Sequence, residues 1–231
     1  LDATQLGALT SAQISSLTTT QIGYLSDDDI DAFSATQLKG LTSAQAAALS
    51  STSLLGLTAT QLAGLSANVI ASLSTTVIAG LDANQVAALS TSQIKALKVA
   101  QVDAFDTTQI GALTTTQLAA MSSTQIASLS TDQFASLSAT QIASLSAASI
   151  YALATTQVEV LNETQIAALT NTQVASLTRT ALASLSSSQI TAFSATQIAR
   201  LTSTALAGLD QSQVDALTDA QVATMSVTQI A

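Results

Sequence analysis

Residues 113–121 read LTTTQLAAM, and residues 121–129 read MSSTQIASL, so the second stretch begins on the residue that closes the first. Cutting the 231-residue chain every eight residues from Leu1 carries this register through 28 full octads and a last one of seven residues, with no insertion or deletion. A fixed internal period governs the reading of the whole chain, because each repeat is one structural unit that stacks on its neighbours.

Each place in the octad has its own chemistry. Position 1 is Leu in 24 units, Phe in three (Phe33, Phe105, Phe193) and Met in two (Met121, Met225). Position 2 is Ser, Thr, Asp or Asn except at Lys98 and Ala154. Position 5 is Gln in 22 units, and position 6 is Leu, Ile, Val or Phe everywhere but Ala46. Position 8 is small in most units, and positions 3, 4 and 7 hold most of the charges.

Three local structures compete for such a unit. In one continuous α-helix, eight residues turn through about 800°, so each octad's apolar positions are rotated about 80° from the last and no stripe faces one partner. A β-solenoid keeps each side chain on a constant face, but Ala recurs at many positions and regular turn residues are missing. The third reading uses the most residues. A Ser or Thr followed three places later by Gln is a capping box, with position 2 as the N-cap and position 5 as its reciprocal partner. The apolar residues at positions 1 and 6 then form the hydrophobic staple around it.

The chain therefore reads as an all-α solenoid of about 29 octapeptide repeats, each a short capped helix; the alternative is a β-solenoid. Helices of five or six residues do not persist alone, so they must stack into a superhelical rod whose core takes the 57 bulky residues at positions 1 and 6. Asp2, Asp82, Asp106 and Asp210 fit as acidic caps. Gly40, Gly56, Gly64, Gly80 and Gly208, all at position 8, suit a helix C-terminal turn and close helix approach. No second period of two, three or four octads sets the number of units per turn. Residues 1–231 form one repeat domain, read as an excerpt of a longer array.

Composition narrows the function. Apolar residues make up 48% and charged residues 8%, with no Pro, Cys, His or Trp. Mean hydropathy is +0.46. This supplies a core and argues against disorder. The net charge of −9 and five scattered cations, Lys39, Lys95, Lys98, Arg179 and Arg200, oppose binding to nucleic acid or an anionic membrane. Polar residues return every few positions, too often for a membrane-spanning helix.

No catalytic, cofactor-binding or metal-binding residue is assigned. Ser and Thr are abundant, but there is no histidine to activate one. The acidic octad LSDDDIDA places Asp27, Asp28, Asp29 and Asp31 together, and calcium is one reading of it. The favoured one is a solvated helix start, frayed because Asp29 replaces the Gln of the box. Tyr24 and Tyr151 read as edge aromatics, and Lys98 and Ala154 as tolerated lapses in capping, each costing about 1 kcal/mol.

The unit, written here as LTTTQLAAM (113–121), LSATQIASL (137–145) and LNETQIAAL (161–169), resembles octapeptide tracts in very large repetitive proteins of proteobacteria, described as adhesin-like or haem utilisation/adhesion proteins. The resemblance covers the whole chain and carries over no functional residue. It implies an extracellular or cell-surface location and a spacer or adhesive role. The expected function is a non-enzymatic spacer or stalk without a cofactor, linked to flanking domains and open to end-to-end self-association. The alternative is a scaffold that binds a ligand, a protein, ice or another surface.

Overall fold

A computed structural model of the protein describes residues 3–230. It contains 29 α-helices among the described residues, from Ala3–Gly7 to Val227–Ile230, each of four to six residues, and no strand. The β-solenoid reading is thereby excluded for these residues. The cap expected at Asp2, with Leu1 as its staple, lies outside the described residues.

The octad at residues 89–96 illustrates why the sequence folds this way. Ser90 has φ −68° and ψ 157°, an extended conformation that turns the chain into the helix Thr91–Ala96. Its hydroxyl accepts from the Gln93 N–H at 3.2 Å, and its own N–H donates to Gln93 Oε1 at 2.6 Å. Two of the donors that every helix start leaves unpaired are thus satisfied by the two side chains of one box. The next Leu, Leu97, has φ −57° and ψ 135°, outside the helical region, and its N–H donates to the Ile94 carbonyl at 3.2 Å to close the turn. Two non-helical residues, at positions 1 and 2, are enough here to leave one helix and enter the next.

No residue among those described has a positive φ, glycine included. The position-8 glycines therefore make no left-handed C-terminal turn, which leaves the other expected role, close approach. Three of them instead allow turns to approach. A Cβ on Gly64 would stand 2.5 Å from the Ala35 carbonyl oxygen, and one on Gly208 would stand 2.6 Å from Arg179 Cγ. At Gly40 it would run into the Ser11 carbonyl group, 2.8 Å from Ser11 Cα. Gly111 meets nothing within 4 Å. Gly40→Ala is therefore expected to destabilise the protein by about 1–3 kcal/mol through overpacking. Gly111→Ala, inside the helix Thr107–Ala112, should stabilise it by about 0.5–1 kcal/mol. Opposite shifts in thermal melting would show that backbone proximity, and not glycine's freedom, selects Gly40.

The chain divides into two compact units, Leu1–Ala120 and Met121–Ala231. Within each, a helix packs against the helix three octads further on, as Ala59–Gly64 does on Ala83–Ala88 and Ala139–Ser144 does on Glu163–Ala168. Each unit is thus a solenoid of stacked turns. Positions 1 and 6 face inward: Leu65, Ile70, Leu81, Ile94, Phe134, Ile142, Leu161 and Ile190 are all buried. At about 1.5–3 kcal/mol for each fully buried aliphatic side chain, this interior is what holds helices too short to stand alone. Val214 and Ile230, at position 6 near residue 230, are 47% and 65% exposed, with no further described octad packed over them.

Position 5 adds a third inward-facing residue that the sequence pattern did not reveal. Gln93, Gln101, Gln109, Gln157 and Gln173 are each no more than 2% exposed, although the capping box alone would leave them at the surface.

Candidate functional site

The most regular polar feature of each unit is built from these glutamines. The Oε1 of Gln101 accepts from the Lys98 N–H at 2.8 Å, as the capping box requires. Its Nε2 donates to the Ile70 carbonyl at 3.0 Å and to the Leu73 carbonyl at 2.9 Å, residues 31 and 28 positions back. Gln93 repeats the pattern on Leu62 and Leu65, Gln173 on Ile142 and Leu145, and Gln221 on Ile190 and Phe193. One amide therefore caps its own helix and ties it to the turn beneath.

The spacing fixes what the sequence left open. Each of these glutamines reaches position 6 of the fourth octad back and position 1 of the third, while Gln61, Gln85 and Gln165 reach position 7 in place of position 6, so a superhelical turn takes between three and four octads. The carbonyl groups they reach lie at the C-terminal ends of helices in the preceding turn; the position-6 carbonyl also accepts from the next position-1 N–H, as Ile70 does from Leu73 at 3.2 Å. Burying an amide is costly unless its hydrogen bonds are made, and here both ends of the side chain are engaged.

The rungs explain how the irregular caps survive. Lys98 and Ala154 offer no side-chain cap bond. Their N–H groups still donate to Gln101 and Gln157, and the N–H groups of those glutamines donate to the Lys98 and Ala154 carbonyls at 2.9 and 3.0 Å. Half of the box is kept, and a tighter turn takes up the donor that the missing hydroxyl would have received.

The acidic octad is capped, not frayed. Ser26 donates its N–H and its hydroxyl to Asp29 Oδ2 at 3.0 and 2.8 Å, while the Asp29 N–H donates to the Ser26 hydroxyl at 3.2 Å. A carboxylate one methylene shorter than Gln completes the same box. These bonds from the Ser26 backbone and side chain hold the Asp29 carboxyl below the usual aspartate pKa. Asp27 accepts from the Ser53 hydroxyl and, at 3.1 Å, from the Ser50 hydroxyl. The Asp27 and Asp29 carboxylates are thus directed to separate partners, and among the described residues no cluster of three or more acidic, His or Cys side chains is arranged for a metal ion.

Ser50, Ser53 and Asp27 line a shallow groove with Leu25 and Leu49. Two hydroxyls meet a carboxylate there without an imidazole between them, so the contact joins two turns and supplies no general base of the kind that activates a serine. Tyr24 and Tyr151 are 83% and 66% exposed and stand clear of the core.

Residues 70–99, 78–115, 91–123 and 115–147 match the ALTTAQ repeat family. This stretch is a tandem repeat tract similar to that family. No curated protein matches the chain. Within the matched stretch, Gln85, Gln93, Gln101, Gln109 and Gln117 each tie back to carbonyl groups 28 residues earlier, and Val77 is an octad without the amide. Repeat and rung coincide, so the recurring Gln of the motif has a structural reason to recur. Among the described residues, no helix is long and apolar enough to cross a membrane.

Proposed function

We propose that this structural repeat module is a non-enzymatic spacer or stalk in a larger bacterial surface or secreted protein. The observation that carries the reading is the fate of the polar groups. The recurring hydroxyls cap helices and the recurring amides link turns, so the repeated chemistry is spent on holding the chain to itself. Adding octads lengthens such a structure without demanding a new core. The resemblance to octapeptide tracts of proteobacterial adhesin-like proteins supports the surface location.

Small-angle X-ray scattering on the 231-residue chain tests the proposal. An elongated particle is expected, whereas a compact globule would contradict the spacer role. Binding to ice is the competing reading, favoured by exposed threonines such as Thr108, Thr116 and Thr124 at position 4. A spacer gives no thermal hysteresis; measurable hysteresis would replace it with the surface-binding reading.

A further inference from the structure

The rungs are unevenly distributed within residues 1–120. Glutamine stands at position 5 in the octads from Gln85 to Gln117 without a gap, but the four octads of residues 49–80 keep only Gln61. Ser53, Val69 and Val77 occupy the other three places, all buried. Four octads are about one superhelical turn, so one whole turn is tied to the turn beneath it by a single glutamine.

The chemistry at each substitution differs from a rung. Val69 and Val77 have no amide, so the Leu41 and Leu49 carbonyl groups, 28 residues back, receive no side-chain bond from them, and the Ser66 and Ser74 N–H groups have no reciprocal cap. Ser53 is too short to reach back to Leu25 and donates to Asp27 instead. Gln61 alone makes the full connection, donating to the Asp31 and Phe33 carbonyls at 2.9 and 2.8 Å. Ser43 adds one exposed bond to the Asn68 carbonyl at 3.1 Å.

The opposite side of the same turn is fully tied. Gln85 donates to Leu55 and Leu57, Gln93 to Leu62 and Leu65, Gln101 to Ile70 and Leu73, and Gln109 to Ile78, Ala79 and Leu81. Two packing faces of one turn therefore differ in kind. One is locked by directional bonds, and the other is held mainly by apolar contact, which has no preferred direction and tolerates sliding.

We infer that the interface between residues 22–49 and residues 53–77 is a yielding joint, the first place at which the interior of residues 25–113 opens. Local opening draws on the least stabilised contacts of a structure, and within residues 25–113 the deficit is confined to this one interface. In a chain under tension such a joint lengthens the molecule while its octads stay folded. The inference rests on the rung geometry and stands apart from the spacer reading.

Native-state hydrogen exchange on the 231-residue chain tests it. Amides in residues 34–49 and 66–80 should exchange at least tenfold faster than those in residues 90–113. Equal rates, or faster exchange in residues 90–113, would overturn the joint. The double variant Val69→Gln, Val77→Gln should slow residues 34–49 towards the rest. The reverse change, Gln93→Val with Gln101→Val, should create a second fast-exchanging interface around residues 62–73. Failure of the reverse change to raise exchange there in a folded chain, judged by circular dichroism, would also overturn it.

Discussion

Phe134→Ala should lower the unfolding free energy of residues 121–231 by about 3–5 kcal/mol, the usual range for removing a buried aromatic ring. Phe134 is fully buried and is the one aromatic residue at position 6; the other bulky residues there are Leu, Ile or Val. Its octad makes an ordinary helix, Thr131–Ala135, so the extra volume is absorbed by the interior around it. Removing the ring leaves a void lined by close-packed side chains that relax only in part. Ala46 is the instructive contrast, because it is also fully buried at position 6 and sits in the four-residue helix Ser43–Ala46. There the structure has closed around a methyl group; at Phe134 it has not. Denaturant unfolding checks the prediction, and a loss below about 1 kcal/mol would place Phe134 outside the main core.

Gln109→Met is expected to cost about 2–4 kcal/mol, from several hydrogen bonds each contributing about 1 kcal/mol net and from buried groups left unpaired. Met keeps the length and flexibility of the side chain but donates nothing. The lost bonds are those from Nε2 to the Ile78, Ala79 and Leu81 carbonyls at 3.1, 3.3 and 2.6 Å, and that from the Asp106 N–H to Oε1 at 2.8 Å. Gln13→Met is the matched control. Gln13 is exposed and its Oε1 accepts from the Thr10 N–H and hydroxyl at 2.8 and 3.0 Å, so only a surface cap is lost and the cost should be about 1 kcal/mol or less. A gap between the two variants in urea unfolding isolates the part of the rung that joins turns. Equal costs would reduce position 5 to a capping residue.

These two positions mark what the sequence does and does not disclose. The local fold is legible because every signal for it lies within one octad: Thr114 and Gln117 form their box, with the Thr114 N–H 2.7 Å from Gln117 Oε1, as the spacing of LTTTQLAAM requires. Positions 1 and 6 were recognisable as core by apolarity alone. The second role of Gln was hidden because its partners are backbone carbonyls about 28 residues away, and a carbonyl leaves no trace in residue type. The pitch was hidden for the same reason, since every octad offers the same acceptors and no periodic substitution marks a turn. The octad of Asp29 was expected to fray because the Gln of the box is replaced, but the Ser26 N–H and hydroxyl both reach one Asp29 carboxylate oxygen and complete the box. The sequence offered the position-8 glycines both a C-terminal turn and close helix approach, and the packing of Gly40 on Ser11 and Gly64 on Ala35, with no positive φ, selects the second.

The central claim is that a position-5 glutamine stacked over an earlier turn both caps its helix and binds the turn beneath. The most direct measurement is the solution behaviour of the Gln109 side-chain amide by nuclear magnetic resonance. Slow exchange with water is predicted, together with nuclear Overhauser contacts from the Nε2 protons to Leu81 and Ile78. Rapid exchange, with contacts only to residues 106–112, would contradict the account.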